Sequence, residues 1–258
     1  MSRVIAIANQ KGGVGKTTTA INLGACLGDT GRSVLLVDTD PQGNATSGLG
    51  IDRKRLDYSL YDCLIGGLEP VRALRATEYR GLWVLPSSLD LAGAEIELVG
   101  MQDRELRLRK VIARLRDNYD YTLIDCPPSL GLLTVNALTA ADSVMIPIQC
   151  EYYALEGLTQ LLNTIKLIRS KLNVGLELEG VLLTMFDART NLSLQVAEEV
   201  KKYFREKVYK TIVPRNVRLS EAPSHGKPIT VYDPRSRGAE VYRELAEEVL
   251  RRGETRTW

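Results

Sequence analysis

The sequence contains little of what marks a nucleic-acid coat protein, a membrane protein or a disulfide-rich domain. Its 258 residues include four cysteines and one histidine, and basic residues so nearly balance acidic ones that the formal charge is +2. A uniformly basic nucleic-acid binder is therefore excluded, and such binding would need a local patch. No apolar run approaches the roughly 18 residues that span a bilayer, and the run at 4–8 is too short for a signal peptide. We therefore expect a cytoplasmic protein.

The four cysteines are Cys26, Cys63, Cys126 and Cys150, which lie far apart and include no C-x-x-C pair. Because His225 is the one histidine, a zinc or iron–sulfur site within one chain is not expected. His225 lies in a turn-like stretch without an orienting partner, which disfavours a Cys–His catalytic pair. We interpret the cysteines as small buried side chains in a reducing compartment.

Short apolar, β-branched runs alternate with longer segments of helical period, which predicts an α/β fold with a mostly parallel, twisted sheet and helices on both faces. The predicted strands are Arg3–Ala8, Ser33–Asp38, Leu82–Pro86, Tyr121–Asp125, Ser143–Ile148, Gly180–Met185 and Val208–Val213. Apolar residues with helical spacing occur in four segments and predict four helices that each bury one face. The four sets of apolar residues are Leu108, Val111, Ile112 and Leu115; Leu158, Leu161, Leu162 and Ile165; Val196, Val200, Tyr203 and Phe204; and Tyr242, Leu245, Ala246 and Val249. Without a repeat or long linker, residues 1–258 are predicted to form a single domain with a frayed tail at 253–258.

The first predicted strand leads into Lys11-Gly12-Gly13-Val14-Gly15-Lys16-Thr17-Thr18-Thr19, and a helical pattern follows. Glycines let backbone N–H groups converge on an anion and a helix N-terminus adds positive potential, so this order predicts a phosphate site. Lys16 would reach the β- and γ-phosphates, and Thr17 would ligate Mg²⁺. The standard Walker A pattern has glycine where this chain has Gln10, and the early Lys11 identifies the deviant Walker A form. A glycine-rich turn that only reverses the chain is the alternative, which the order of elements disfavours.

Acidic residues follow two of the predicted strands. In an open parallel sheet, ligands bind beyond the carboxyl ends of the strands, so Asp38, Asp40 and Asp125 should converge on the phosphate pocket. Asp125 follows an apolar run and fits the Walker B role of holding Mg²⁺ through water. Asp40 lies where it could orient the attacking water, and Asp38 could support the network between Thr17 and Mg²⁺. For isolated acidic residues a cap or a solvated loop would be the alternative.

These residues resemble the deviant Walker A P-loop ATPases, and within them the ParA/Soj-type chromosome-partitioning ATPases. The resemblance covers nearly the whole chain, through segments 11–19, 38–50, 125–130, 149–157 and 214–224. It implies hydrolysis of ATP to ADP and phosphate with Mg²⁺, and a homodimer that sandwiches ATP. In that dimer Lys11 would cross to the partner's nucleotide, where it supplies a cation as an arginine finger does.

The resemblance also implies a role for individual residues of the nucleotide site. Pro214 and Asn216 should flank and hydrogen-bond the adenine, Gly12 should allow close approach of the second subunit, and Asp40 should position water. The predicted catalytic residues are Lys11, Lys16 and Asp40, and the predicted metal-binding residues are Thr17, Asp38 and Asp125. The predicted nucleotide contacts are Lys11, Gly12, Gly13, Val14, Gly15, Lys16, Thr17, Thr18, Pro214 and Asn216.

The resemblance further implies DNA binding without sequence preference by the ATP-bound dimer, and a ParB-type centromere-binding partner that stimulates hydrolysis. A basic stretch supports a DNA patch independently, since seven basic residues and one acidic residue, Glu206, lie between Lys201 and Arg218. A solvated helix face is the alternative, but a dimer doubles the number of phosphate contacts. The predicted DNA contacts are Arg189, Arg218 and Lys227, and the predicted location is the nucleoid.

Other functions are less well supported by the sequence. A MinD-like membrane-surface ATPase that positions division machinery needs a basic amphipathic C-terminal anchor, but the last predicted helix is acidic, with Glu240, Glu244, Glu247 and Glu248. Stable membrane association is therefore not expected. An electron-transfer reductase like the nitrogenase iron protein would need cysteines from two subunits to hold a cluster. A scaffold without activity would leave Lys11 and Asp40 without a use.

Overall fold

The computed structural model describes residues 2–151 and 156–254. The strands in these ranges are β1 (Arg3–Ile7), β2 (Val34–Asp38), β3 (Arg75–Ala76), β4 (Leu82–Leu85), β5 (Tyr121–Asp125), β6 (Ser143–Gln149) and β7 (Glu177–Thr184). The helices are α1 (Lys16–Asp29), α2 (Asn44–Gly48), α3 (Leu60–Leu64), α4 (Leu91–Val99), α5 (Arg107–Ala113), α6 (Leu132–Ala140), α7 (Glu156–Lys171), α8 (Asn191–Phe204), α9 (Val217–Glu221), α10 (Ile229–Tyr232) and α11 (Arg237–Glu254). Short 3₁₀ turns, among them Arg53–Arg55, lie in the connections.

The strands form one sheet in the order β3-β4-β2-β5-β1-β6-β7. Every neighbouring pair is parallel except β3 and β4, which confirms the predicted α/β class. Asp38 at the end of β2 pairs in register with Asp125 at the end of β5, and Asp125 pairs with Ile7 of β1. The loops that leave these three central strands therefore emerge side by side at one edge of the sheet.

Hydrophobic cores lie on both faces of the sheet, because alternate residues of a strand point to opposite sides. Val4 and Ala6 of β1 belong to the core under α3 to α8, whereas Ile5 and Ile7 belong to the core under α1 and α11. All four of these strand side chains are completely buried. The predicted arrangement of helices on both faces is therefore confirmed.

The predicted strand Val208–Val213 is wrong. This segment runs beside β7 and donates two backbone hydrogen bonds to it, from Tyr209 and Val213, each 2.9 Å long. Between them the backbone N–H groups of residues 210 and 211 donate instead to the carboxylate of Glu248 on α11. A helix side chain thus takes the Thr211 donor that a regular strand would give to β7, and apolar patterning does not reveal such a competitor.

The C-terminal helix extends further than the sequence suggests. Gly253 and Glu254, which we predicted in a frayed tail, belong to α11. Just before them, Arg252 donates to Glu248 at 2.8 Å and lies over the ring of Tyr209 at 4.1 Å. The contact with Tyr209 holds the last turn of α11 against the segment that runs beside β7. Residues 255–258 of the predicted tail lie outside the described residues.

The predicted buried positions mostly agree with the structure. All four cysteines are free and buried. The helix faces predicted from spacing are buried or half-buried, except for Tyr203, which lies at the end of α8 with 69% of its surface exposed. Two other differences are small: β7 begins at Glu177, three residues before the predicted start, and the two-residue edge strand β3 was not predicted. Among the helices of the described ranges, none has both the length and the apolar character needed to cross a bilayer.

Candidate nucleotide-binding site

The glycine-rich loop between β1 and α1 is fixed to neighbouring strands. The Asn9 side chain donates to the Pro147 carbonyl at 2.7 Å and accepts from the Lys11 N–H at 3.0 Å. Gly13 and Gly15 have φ angles of 72° and 88°, in the left-handed region that favours glycine. The N–H groups at the start of α1 have no intrahelical acceptor, so the loop presents donors to an anion.

Lys16 is the first residue of α1 and is a buried cation. Its side chain is 6% exposed, and Nζ donates to the Lys11 carbonyl at 3.1 Å. Burial lowers the pKa of this ammonium, and Asp125 is the strongest of the groups that oppose the change. In the part of the chain that the structure describes, no carboxylate lies within ion-pair distance of Nζ. A buried ammonium with a carbonyl as its partner is suited to receive an anionic ligand.

Asp38 and Asp125 are both completely buried, but their carboxylates differ in their partners. Asp38 accepts hydrogen bonds from Thr46 N at 2.8 Å, Thr46 Oγ1 at 2.6 Å and Asp40 N at 3.2 Å. Neither carboxylate oxygen of Asp125 has a partner among the described residues. Burial raises the pKa of Asp38 to about 6, and burial together with the charge of Asp38 raises the pKa of Asp125 well above its ordinary value.

These residues fit a magnesium ion bound together with a nucleotide. The Thr17 hydroxyl and the Lys16 ammonium both lower the pKa of Asp125 against the larger effect of burial. Within residues 2–151 and 156–254, no cluster of three or more His, Cys, Asp or Glu side chains could hold a metal ion. Mg²⁺ commonly keeps several waters and binds through one or two carboxylates together with substrate phosphates, which suits a site at Thr17 and Asp125.

Asp40 lies on the loop after β2, and hydrogen bonds fix its orientation. Its Oδ1 accepts from Gln42 N at 2.9 Å, and its carbonyl accepts from Ser87 Oγ at 2.7 Å and Gly43 N at 2.8 Å. Its Oδ2 makes no hydrogen bond to any described residue, and the side chain lines the cavity beside the glycine loop. Asp40 can therefore present one carboxylate oxygen to a molecule in that cavity.

Thr46, Ser87 and Met185 belong to this site, and the sequence reasoning missed them. Ser87 N donates to Thr46 Oγ1 at 3.0 Å, which links the Asp38 carboxylate to the loop of Asp40. Met185 follows β7 with a φ of 51° and lines both cavities at this edge. Ser87 directly follows the predicted strand Leu82–Pro86, so the rule that ligands bind beyond strand ends could have identified it.

Two adjoining cavities form one groove along the carboxyl edge of the sheet. The cavity of about 590 Å³ is lined by the glycine loop, Lys16, Thr17 and Asp40, and the cavity of about 360 Å³ is lined by Pro214 and Asn216. The two share Gly15, Thr18, Met185 and Pro223. All the predicted nucleotide contacts except Lys11 and Val14 therefore line this groove, whereas the predicted metal-binding residues Asp38 and Asp125 do not line it.

Lys11 and Gly12 lie at the exposed side of the loop, where Lys11 is half-buried and Gly12 is exposed. Asn216 has a further constraint, because its Oδ1 accepts from Arg218 N at 2.8 Å as the N-cap of α9. Its Nδ2 donor is the group that remains for a ligand. Tyr152 to Leu155, in the middle of segment 149–157 of the resemblance, lie outside the described residues.

The predicted DNA contacts are exposed, and two of them have ion-pair partners. Arg189 pairs with Asp187 at 2.7 Å, and Arg218 pairs with Glu221 at 2.9 Å. Lys227 is exposed and has no ion-pair partner in the described ranges. The seven basic residues of the predicted patch are all exposed, and they are Lys201, Lys202, Arg205, Lys207, Lys210, Arg215 and Arg218.

A glycine-rich loop between a strand and a helix, a buried lysine at the helix start and two carboxylates at adjacent strand ends define a P-loop ATPase. The profile of a family described as an AAA domain matches residues 2–178. The chain is 65% identical over 253 residues to the sporulation initiation inhibitor protein Soj of Bacillus subtilis, covering 98% of this chain and 100% of that protein. It is 57% identical to the chromosome partitioning protein ParA of Myxococcus xanthus, covering 98% of this chain and 89% of that protein. The chain belongs to the Soj/ParA family of chromosome-partitioning ATPases.

Solved structures share this fold over nearly the whole chain. A Mycobacterium smegmatis protein named cobyrinic acid a,c-diamide synthase, with bound ATP analog and magnesium, has a TM-score of 0.87 and 42% identity, covering 99% of this chain and 97% of that one. The cell division ATPase MinD of Pyrococcus furiosus has a TM-score of 0.81 and 31% identity, covering 97% of this chain and 99% of that one. The fold is therefore common to proteins with different names, and the family assignment depends on the sequence relatives.

Proposed function

We propose that this protein is an ATP-hydrolysing switch for chromosome or plasmid partitioning, acting as a single P-loop ATPase domain over residues 1–258. Two subunits sandwich ATP, the dimer binds DNA without sequence preference, and hydrolysis stimulated by a ParB-type partner releases it. The supporting observation is the buried, unpartnered carboxylate of Asp125 beside Asp38, at the edge of the sheet where the groove lies. The proposed location is the cytoplasm, on the nucleoid.

Each residue of the phosphate end has a task in this proposal. Lys16 exchanges the Lys11 carbonyl for phosphate oxygens, and Thr17 and Asp125 would hold Mg²⁺, Asp125 through water. Asp38 would support this network from the neighbouring strand. The metal ion, when bound, would supply positive charge beside the phosphates. Asp40 orients the attacking water with the carboxylate oxygen that has no partner within the described residues.

At the adenine end of the groove, the hydrogen bond that caps α9 limits which group of Asn216 can contact the base. Asn216 Oδ1 already accepts from the backbone of α9, so Asn216 offers its Nδ2 donor to a ring nitrogen of the adenine. Pro214 lies against the base, and Thr18 with the loop residues Gly13, Val14 and Gly15 contacts the phosphates. Substitution of Asn216 by aspartate keeps the cap but removes the donor, so it should weaken ATP binding without unfolding α9.

Dimerisation brings Lys11 and Gly12 to the second nucleotide. Lys11 N is fixed by Asn9, and its side chain is half-buried at the rim of the groove, so the ammonium can extend toward a partner subunit. Gly12 has no side chain to keep the subunits apart, and the nearest atom to a Cβ at this position is Pro128 Cβ, at 3.9 Å. The Lys11 cation stabilises charge that develops on the transferred phosphoryl group.

DNA binding uses Arg189, Arg218 and Lys227 on each subunit. The arginines must exchange their ion pairs with Asp187 and Glu221 for DNA phosphates, so each contact costs part of an existing interaction. A single subunit therefore binds weakly, whereas a dimer doubles the contacts and the release of counterions. ATP-dependent dimerisation thereby controls DNA affinity.

Sedimentation with plasmid DNA at several salt concentrations tests the proposal. Wild-type protein should sediment with ATP but not with ADP, and Asp40→Ala should remain bound with ATP because it cannot hydrolyse it. Changing Arg189, Arg218 or Lys227 to alanine should weaken retention and reduce the salt dependence by about one phosphate contact per site.

Lys110→Ala is the matched control, because it removes an exposed basic side chain outside the proposed patch, where Lys110 pairs with Asp103 at 2.8 Å. Equal loss of DNA retention in Lys110→Ala and the three patch variants would contradict the assignment. Wild-type ATP turnover in Asp40→Ala would contradict the proposed role of Asp40, and turnover unaffected by a ParB-type protein would contradict the proposed regulation.

The membrane-surface alternative gains no support from α11. Its apolar residues Val241, Tyr242, Leu245, Ala246 and Val249 are all buried against the rest of the protein. Its exposed positions are charged, among them Glu240, Arg243 and Glu247. This helix would have to leave the core before it could lie on a bilayer. Flotation with liposomes in the presence of ATP tests that alternative directly.

A further inference from the structure

Arg53 lies against the loop that carries Asp40. Its Nη2 donates to the Pro41 carbonyl at 2.6 Å, its Nη1 donates to the Gln42 carbonyl, and its Nε donates to the Ser87 carbonyl at 3.4 Å. One guanidinium thus joins the loop after β2 to the loop after β4. Both loops emerge at the carboxyl edge of the sheet, beside the groove.

The loop depends on Arg53 for contacts that no other described residue supplies. The Pro41 and Gln42 carbonyls accept no other hydrogen bond within the described ranges. Gly43 lies directly beneath the guanidinium, and a Cβ at this position would collide with Arg53 Nε. The φ of 63° at Gly43 completes a tight turn that the arginine covers. The path from Asp40 to α2 is therefore held between Ser87 on one side and Arg53 on the other.

The partners of Arg53 differ from those of its neighbours. Arg55 pairs with Asp52 at 3.4 Å and is largely exposed, as expected for a solvated surface residue. Arg53 has no carboxylate within ion-pair distance among the described residues, and all three of its recorded hydrogen bonds go to backbone carbonyls. Asp52 caps the 3₁₀ turn Arg53–Arg55 by accepting from Lys54 N at 3.0 Å, which fixes the backbone from which Arg53 extends.

We propose that Arg53 is a positioning residue for hydrolysis, which holds the Asp40–Gly43 loop so that the Asp40 carboxylate meets the attacking water. Arg53 acts through the loop backbone and does not touch the nucleotide. The proposal rests on the proposed function, in which Asp40 orients that water. The planar guanidinium of Arg53 donates to carbonyls on two loops at once, which a lysine ammonium does less well.

Steady-state ATP turnover, nucleotide affinity and thermal stability of four variants test this role. Arg53→Gln should lower kcat by about 10-fold or more, because a small displacement of a positioned group has a large effect on rate. Its KM and its affinity for a non-hydrolysable ATP analogue should stay within about 2-fold, since Arg53 contributes nothing to the groove lining. Arg53→Lys should recover part of the lost rate.

Arg55→Gln is the matched control and should turn over ATP at the wild-type rate. Asp40→Ala distinguishes a failure of the proposed function from a failure of the role of Arg53. If Asp40→Ala retains turnover, the proposed function fails at that residue whatever Arg53 does. If Asp40→Ala loses turnover while Arg53→Gln keeps the wild-type kcat, the role of Arg53 alone is wrong. A loss of ATP affinity equal to the loss of kcat, or a rate lost in Arg53→Gln and Arg55→Gln alike, would also overturn it.

Discussion

Each end of the sheet buries a carboxylate, and the two carboxylates differ in their hydrogen-bond partners. Near the amino ends of the strands, Glu179 is completely buried and accepts from Arg3 at 2.8 and 2.9 Å and from Ser143 at 2.8 Å, with the Tyr209 hydroxyl at 3.5 Å. At the carboxyl ends, Asp125 is just as deeply buried and has no hydrogen-bond partner among the described residues.

The two carboxylates therefore differ in what can stabilise their charge. A buried charge that is fully paired holds elements together, and Glu179 joins β1, β6 and β7 in this way. A buried charge without a partner costs stability, so its retention calls for a ligand that is absent from the chain itself. At the carboxyl edge Mg²⁺ and phosphate are the ligands that fit both Asp125 and the buried Lys16.

The same acid-to-amide change should therefore have opposite effects at the two ends. Glu179→Gln should lower the free energy of unfolding by about 3 kcal/mol, because it breaks charge-assisted hydrogen bonds and leaves Arg3 without its anion. Chemical denaturation measures this loss. ATP turnover per folded molecule should stay at the wild-type value, and a loss of turnover in fully folded protein would show that the two ends are coupled.

Asp125→Asn should stabilise the nucleotide-free protein, because it removes the cost of ionising a buried carboxyl group that has no partner. We expect the melting temperature to rise by about 3–6 °C at pH 7.5, which corresponds to roughly 1–2 kcal/mol for a chain of this size. ATP hydrolysis should be lost. A variant that melts below the wild type would mean that Asp125 already has a stabilising partner.

The stabilising effect of Asp125→Asn should depend on pH in a definite direction. Burial raises the pKa of Asp38 to about 6, and burial together with the charge of Asp38 raises the pKa of Asp125 well above its ordinary value. A group with a raised folded-state pKa contributes stability below its unfolded pKa and loses it as the pH rises through the folded value. The advantage of Asp125→Asn over wild type should thus be small near pH 4 and grow as the pH rises to 6 and above. Melting curves across this range would contradict the account if the advantage shrank with rising pH.

An exposed ion pair away from both ends of the sheet provides a comparison with an ordinary surface interaction. Lys110 and Asp103 are 2.8 Å apart, with side chains 57% and 52% exposed. Lys110→Ala should leave the free energy of unfolding nearly unchanged, since exposed ion pairs are screened by water and salt. Denaturation at low and high salt measures it, and a loss comparable to that of Glu179→Gln would remove the distinction between buried and surface pairs.

The sequence predicts the carboxyl edge better than the rest of the molecule, for a physical reason. Asp38 and Asp125 end apolar strands, and parallel strand ends meet at one edge, so their proximity follows from order along the chain. The glycines and Lys16 are equally local signals. The alternation of strand and helix patterns along the chain is likewise a local signal, and the fold class that it predicts is confirmed by the sheet.

The features that sequence reasoning missed depend on side chains from distant segments. Glu248 accepts hydrogen bonds from the backbone N–H groups of residues 210 and 211, where a strand was predicted. Glu248 lies 37 positions after residue 211 in the sequence. Arg53 reads as one of three basic residues in an exposed turn, and its contacts with Pro41 and Ser87 follow from how three loops fold together. Neither periodicity nor a motif carries such information.

If Mg²⁺ and nucleotide supply the partner that Asp125 lacks at the carboxyl edge, these ligands should stabilise the wild type more than Asp125→Asn. Thermal melting of wild type and Asp125→Asn, each with and without Mg²⁺ and a non-hydrolysable ATP analogue, tests it most directly. We predict a crossing: the variant is the more stable protein without ligand, and the wild type is the more stable with it, because the metal-bound nucleotide supplies the partner that Asp125 lacks. If the variant keeps the same advantage in both conditions, Asp125 is not a metal-binding residue and the comparison between the two ends of the sheet does not explain the function.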